Sequence, residues 1–520
     1  MAQKLFDKAS LVMIPSQYKE GKIYNIKPED QSSSFEFERG SAATRVNSSG
    51  LIEYVGVGAE LITDGGFDDA SAWSTFGGAN VSGGKLILDA QNEVAQQYNL
   101  GIVSGKEYKV DFTIEGENTH LIVYLGSNSS SNADSVYTTQ SEGTYSIRLD
   151  AHTDGDFIKF NCPSSGKNFT VDNVSVRLIE NDTPRLDYSG TEPALLLEPQ
   201  RTNLIANSEY ITPTTVAGSS LDYNQGISPN GTNNATKITR GTNNLIARFN
   251  NVVETGKTYT FSMYVKTLSG TQDIRLDITD EAIGDFTATT DWKRFSVTGT
   301  VTRTPQSTYH FVDFNFLNAQ EGDSVLIYAP QIEEGSYATS YIPTNGQAET
   351  RLADVCQGGG DSTIFNDSEG VLYANIAALV DDNSDRKIAI VEGATQNQVS
   401  IGYSISSKKI RAITYDGAVK GETFTNACNV LDFNKIAYKY KNLDNQLWVN
   451  GFLLDTSNNT NILNGVTLDN LGFDANASDF YGTTKEVIAF NEALSDTELE
   501  ALTSYDSFTE MATEQLYTIE

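Results

Sequence analysis

At 520 residues the chain is too long for one hydrophobic core and predicts roughly three or four domains. Its 68 acidic residues against 36 basic ones leave a formal net charge of −32, a field that repels phosphate backbones and anionic headgroups. Neither nucleic acid nor a membrane surface is therefore expected as a partner, and the three scattered cysteines, Cys162, Cys356 and Cys428, supply neither a disulfide framework nor a Cys-x-x-Cys metal spacing.

The opening MAQKLFDKASLVMIPSQ holds one short apolar run, Leu11 to Ile14, far below a signal-peptide core or a membrane span, so no export is expected from it. Beyond it strand signals dominate: short stretches rich in Val, Ile, Thr, Tyr and Phe alternate with polar residues between Gly, Asn, Asp or Ser clusters. Examples are KEYKVDFTI (106–114), KTYTFSMYV (257–265) and KRFSVTGTV (293–301). Residues 60–180 and 203–345 form a loose internal repeat. Its matched pieces are ELITDGGF with NLIANSEY, VSGKEYKVDF with ETGKTYTFSM, GTYSIRL with WKRFSV, and FTVDNVSVR with VLIYAPQIEE. In each copy a Gly-Lys turn, Gly105-Lys106 or Gly256-Lys257, opens a strand whose apolar side chains share one face at period two. That face must meet a second sheet, which predicts a sandwich or jelly roll.

Between the copies, PRLDYSGTEPALLLEPQRTN carries Pro184, Pro193 and Pro199, which forbid a continuous helix; it reads as a connector whose Ala194 to Leu197 run is short enough for a strand. YIPTNGQAETRLADVCQGGG reads as a further connector, with Gly358 to Gly360 as a linker. Over 362–505 another strand-rich module follows, in which Asn450-Gly451 within LWVNGFLLD predicts a two-residue type I′ hairpin. A short helix is expected near the end, where Ser495 caps DTELEALTSY and Glu498 stands three residues on, as a capping box requires.

Several strings are not explained by periodicity. SFEFERGSAATRVNSSGLIEYV (34–55), EPALLLEPQRTNLIANSE (192–209) and APQIEEGSYATSYIPTNGQAETRLADV (329–355) resemble recurring segments of phage tail-fibre and head-fibre proteins, and KLFDKASLVMIPSQYKEGKIYNIKPED is similar to the start of virion proteins from phages of Bacteroidota, crAss-like phages included. Residues 60–180 and 203–345 resemble family 4/9 carbohydrate-binding jelly rolls through GGF and VDNVSV, the first copy more closely. Residues 362–505 resemble a concanavalin A-like, laminin G-type lectin domain through LWVNGFLLD and KEVIAFNEALSDTELEAL.

Sugar binding uses exposed aromatic faces flanked by amides and carboxylates, and Trp73, Phe76, Tyr98 and Tyr124 are the candidates in the first copy. Against this, Trp73, Trp292 and Trp448 stand where packing is the commoner role. The resemblance implies a structural Ca²⁺ beside VDNVSV, with Asp172 as its ligand and Asp68 as a weaker one; in the second copy Tyr328-Ala329-Pro330 stands against Val171-Asp172-Asn173, so the matching carboxylate is missing. No catalytic residue is expected: the Glu-x-Asp-x-x-Glu string of lectin-fold glucanases is missing, Glu53 and Glu486 have no alternating acidic neighbour, and His120, His152 and His310 lie in unrelated segments.

The expectation is an all-β chain of tandem β-sandwich or jelly-roll modules, with a short N-terminal attachment segment and a short helix near the C-terminus. Its parts are an attachment or assembly segment (1–57), a jelly roll (58–181), a connector (182–202), a second jelly roll (203–345), a linker (346–361) and a lectin-type domain with a tail (362–520). By resemblance it is a non-enzymatic virion fibre of head or tail, made in the host cytoplasm, released by lysis and displayed on the virion surface. Its expected partners are itself as a homotrimer, capsid or tail proteins, and surface glycans; no cofactor is required beyond the structural Ca²⁺. A virion-associated polysaccharide depolymerase and a secreted bacterial adhesin are the rival readings.

Overall fold

The structure is a computed structural model that describes residues 5–188, 192–216, 218–242, 245–250, 252–303, 311–393, 395–404, 409–459, 463, 465–473 and 478–505. It is built almost wholly of antiparallel strands, with a helix at Asp496–Ser504. Two compact units divide the chain: one holds 1–40, 182–200 and 352–520, the other 41–181 and 201–351.

The second unit contains both copies of the repeat, and each is a sandwich of two sheets. In the first, Gly143–Asp150, Glu107–Asn118, Asn168–Ile179, Leu86–Leu88 and Asn80–Val81 lie in that order, with Val57–Glu60 also pairing to Asn168–Ile179. The facing sheet runs Val136–Thr139, Leu121–Leu125, Phe157–Cys162, Glu93–Tyr98, Ser74–Phe76. The second sandwich repeats the scheme: Lys293–Thr300, Thr258–Thr267, Ser324–Glu334, Thr236–Thr239, Ser220–Asp222 face Leu245–Asn250, Phe311–Phe316, Gln272–Ile278 and Ala282–Ala288.

Period-two patterning does this work. Tyr108, Val110, Phe112 and Ile114 enter one core, and Tyr259, Phe261, Met263 and Val265 the other. Even the turns match: Tyr108 accepts the Val103 N–H through its hydroxyl (2.8 Å), as Tyr259 accepts that of Glu254 (3.1 Å). Both sandwiches also carry a bulge on the last long strand, with Asn173 and Ala329 each at φ 54°. Since Thr113 pairs with Asp172 and Tyr264 with Tyr328, the residue equivalent to Asp172 is Tyr328, one position earlier than the sequence alignment had it.

The first unit is the third sandwich, and it corrects three expectations. Residues 1–57 are not a separate segment: Ala9–Met13 pairs with Gly482–Phe490 inside the large sheet, and residues 41–57 belong to the other unit. The cause is burial on both sides. Leu11 and Met13 enter the core between the sheets, while Ala9 and Val12 join Trp448, Ile488, Leu499 and Leu502 under the C-terminal helix. Nor is 182–202 a mere connector, because Arg185–Asp187 and Ala194–Leu197 extend the same sheet and all four residues of the latter are buried. Gly358 to Gly360 are no flexible linker either: Gly359 exchanges backbone hydrogen bonds with Leu471 (3.0 and 2.7 Å), and a Cβ there would meet the Phe35 ring at 2.5 Å.

Local signals read from the sequence recur as structure. Asn450 and Gly451 both take positive φ (49° and 86°) in the turn where Val449 pairs with Phe452, and Ser495 with Glu498 completes the capping box.

The three junction strings meet in buried polar networks. In the first unit Asp354 takes Arg39 on Oδ1 (3.2 Å) and Arg185 on Oδ2, while Arg185 also pairs with Glu198 at 2.6 Å; these side chains are at most 3% exposed. In the second unit Thr44 donates to the Tyr341 carbonyl (2.5 Å), Asn203 to that of Ile342 (2.9 Å), and Tyr341 and Thr344 share Ser208. The strings are scaffold.

Candidate functional site

The register of the first sandwich's facing sheet defines an outward surface. Leu121, Val123, Ala95, Ile158 and Phe160 point into the core, so their strand neighbours point out. Phe76 pairs with Val94, Gln96 with Lys159, Lys159 with Tyr124, and Tyr98 with Phe157, which puts Phe76, Gln96, Tyr98, Tyr124, Phe157 and Lys159 on one face. Asn161, the partner of Val94 and Ile122, completes it.

Tyr98 is 45% exposed and meets Phe157 edge-on at 6.0 Å; Gln96 donates its amide to the Tyr98 hydroxyl. Beside them the Lys159 ammonium sits 3.9 Å above the Tyr124 ring, and burial pulls its pKa down. The surface thus offers two open aromatic rings, Phe76 and Tyr98, the amides of Gln96 and Asn161, and a partly desolvated cation. A sugar needs this combination: C–H faces stack on the rings and hydroxyls bond to the amides.

Of the four sequence candidates, Phe76 (52% exposed) and Tyr98 are accessible and share this face. Trp73 is not: it is 4% exposed, lies 4.8 Å from Phe67 and 5.9 Å from Phe160, and donates Nε1–H to the Asp64 carbonyl at 2.9 Å. Tyr124 is on the face but 6% exposed, its ring covered by Lys159. Phe157, Lys159, Gln96 and Asn161 went unrecognised. Alternation would have placed them outside, but only strand pairing makes them neighbours.

The equivalent face of the second sandwich has other chemistry. Arg248 holds Asp313 with two bonds (2.8 and 2.6 Å) and lies 3.5 Å over Phe311, and Arg275 holds Asp285 in the same way (2.7 and 2.9 Å). Asp277, across from Asp313, is pushed up to about 6 by burial. The Arg248–Asp313 pair occupies the positions that Gln96 and Lys159 hold in the first copy, and Asn250 with Phe311 those of Tyr98 and Phe157.

Of the two carboxylates expected at a Ca²⁺, Asp172 accepts the N–H of its own neighbour Asn173 (2.6 Å) and Asp68 is exposed; among the described residues no group of three or more His, Cys, Asp or Glu converges on one point. The other carboxylates singled out are structural. Glu486 accepts the Tyr373 hydroxyl (3.0 Å) while 3% exposed, and Glu53 pairs with Arg45 (2.9 Å). His120 meets Ser164 at 2.8 Å, His152 lies beside Asp154, and His310 is outside the described residues.

A family described as a carbohydrate binding domain matches residues 210–314. The match falls in the second sandwich, although the first copy was expected to be the nearer. None of the curated proteins compared with the chain matches it. Among solved structures, the carbohydrate-binding module of a Ruminococcus gnavus sialidase bound to α2,3-sialyllactose shares 16% identity over 28% of this chain and 88% of its own, with a TM-score of 0.24. A xylan-binding domain from Paenibacillus barcinonensis shares 14% over 26% and 94% (TM-score 0.22). A Trypanosoma rangeli sialidase in complex with sialic acid shares 11% over 93% and 98% (TM-score 0.23). At such values these likenesses carry no argument about this chain.

Proposed function

We propose that the chain is a non-enzymatic, glycan-binding fibre protein of a phage particle, displayed on the virion surface as a homotrimer. The observation that carries the glycan part is the open Tyr98 ring with Gln96, Lys159 and Asn161 on one sheet face, in a chain whose other sandwich matches a carbohydrate binding domain. The fibre part is supported by the strings at 34–55, 192–209 and 329–355, whose residues form the buried networks at the module junctions. Because residues 5–40 are folded into the third sandwich, contact with capsid or tail proteins would use that unit's surface instead of a free arm. For self-association, Phe452, Leu453 and Leu454 present a run of exposed apolar side chains on an edge strand (69%, 41% and 36% exposed).

Two measurements test the reading. Cryo-EM of purified virions should show a three-fold projection whose density fits the sandwiches; absence of the chain from virions refutes the fibre role. Incubation with host surface polysaccharide should yield binding that falls about tenfold in Tyr98→Ala, without release of oligosaccharides. Released product would favour the depolymerase instead, for which the Asp277 and Asp313 pair is the first place to look.

A further inference from the structure

Away from the sheet faces, the two sandwiches of the second unit meet along a seam. Tyr210, at the head of the second sandwich, inserts into the first: its ring stacks on Tyr145 at 4.6 Å, and its hydroxyl donates to the Thr144 carbonyl at 3.0 Å. This contact leaves a cavity of about 480 Å³ lined by Tyr210, Tyr223, Gln140, Asn207, Asn345 and Gln347, a size in the range of small-molecule sites. Asn345 and Gln347 also line a second cavity, of about 200 Å³, with Tyr54, Asp134, Arg148, Asp150, Glu209 and Glu349. A third, of about 540 Å³, shares Ser141 and Tyr223 with the first and is lined by Asn224, whose buried Oδ1 has no hydrogen-bond partner. Through these shared lining residues the three adjoin one another as a trough along the seam.

The two ends of the central part differ in chemistry. Around Tyr210 and Tyr223 there are rings and amides, and the Gln140 and Asn345 side chains make no hydrogen bond among the described residues. At the other end four carboxyl groups stand against one guanidinium, and Arg148 is already engaged by Glu107 and Glu349. Burial pushes Glu209 up to about 8 and Asp150 up to about 6, the direction expected where negative charge is poorly solvated. An acidic sugar entering here would add charge to a site that already suppresses its own. A hydroxyl or an ammonium would instead find acceptors.

We infer that the seam is a glycan site of its own, separate from the sheet face, which takes an oligosaccharide of neutral or amino sugars along the trough and rejects sialic and uronic acids. The inference rests on the glycan-binding reading above and adds the place and the class of sugar. Rings for stacking, uncommitted amides for hydroxyls and a carboxyl-lined end are combined in one trough, whereas the sheet face offers a cation, Lys159, and no carboxylate among its named residues.

The test is calorimetric titration of the full chain with an N-acetylated chito-oligosaccharide, its deacetylated form, sialyllactose and an oligouronate. Gln140→Trp, which adds bulk at an exposed position on the rim, and Asn345→Ala, which removes an uncommitted amide, should each weaken binding of the first two probes at least tenfold with the unfolding temperature unchanged. Tyr98→Ala should leave that binding in place. If Tyr98→Ala abolishes all binding and the seam variants do nothing, the seam inference falls and the glycan reading survives. Equal affinity for sialyllactose and the neutral probe, undiminished by Tyr98→Ala, overturns the charge selection. Binding of none of the probes overturns both the inference and the reading it rests on.

Discussion

Replacing Asp354 by Ala removes the centre of the buried ionic cluster in the first unit. Its Oδ1 holds Arg39 at 3.2 Å, and its Oδ2 holds Arg185 and accepts the Glu198 backbone N–H at 2.8 Å. The Asp354, Arg39 and Arg185 side chains are 0% exposed, so the loss cannot be made good by solvent. A unit charge pair at this separation interacts by about 5 kcal/mol at an effective dielectric near 20. Removal of one partner from a buried pair costs about 3–5 kcal/mol, because the cluster then carries an extra uncompensated positive charge. For a unit of roughly 230 residues each kcal/mol lowers Tm by about 2–4 °C, so a fall of about 10 °C is expected in its unfolding transition. Scanning calorimetry gives the size of the effect. Hydrogen exchange read by mass spectrometry locates it, with protection lost in Glu369–Ala378 and kept in Glu107–Asn118. Asp354→Asn, which keeps the acceptor for Glu198 but not the charge, should fall between wild type and Asp354→Ala. A shift under about 2 °C for Asp354→Ala, or equal loss of protection in both strands, would refute the assignment of the cluster as the support of this unit.

Other perturbations follow from the same reading. Glu209 has its pKa raised by burial to about 8, against about 4.3 when unfolded, so the folded state holds the proton more tightly. Its contribution to stability is whole below about pH 4 and is lost as the pH climbs to about 8, with a slope of at most about 1.4 kcal/mol per pH unit. Glu209→Gln, which still offers an oxygen to the Tyr328 hydroxyl (3.2 Å in the wild type), should flatten that slope in a series of thermal melts. Ser495→Ala should cost about 1 kcal/mol through the lost capping box, read by urea unfolding. Gly451→Val should destabilise the Val449 to Phe452 hairpin by about 1–3 kcal/mol, because φ is 86° and a Cβ would press on the Ser504 hydroxyl at 2.8 Å; unchanged exchange protection in Asn445–Val449 would count against this.

Much of the fold was legible because its signals are local. Tyr108, Val110, Phe112 and Ile114 declare a half-buried strand by their spacing, Asn450-Gly451 declares a turn by its tolerance of positive φ, and Ser495 with Glu498 declares a helix start through hydrogen bonds three residues apart. The repeat was legible for the same reason: two copies of one strand pattern give two copies of one sheet order.

What the sequence could not settle are the neighbours made by distant segments. Leu11 to Ile14 and Ala194 to Leu197 are apolar runs of a length that fits several roles, and only their pairing with Gly482–Phe490 makes them sheet strands buried on both faces. Trp73 and Tyr98 are both aromatic residues of the first copy. Cross-strand register and packing bury the first between Phe67 and Phe160 and leave the second open beside Gln96. Arg39, Arg185, Glu198 and Asp354 become a cluster across separations of up to 315 positions. Periodicity tells a side chain which face it takes; the register between strands far apart in the chain decides what it meets there, and that register is set by the whole core at once.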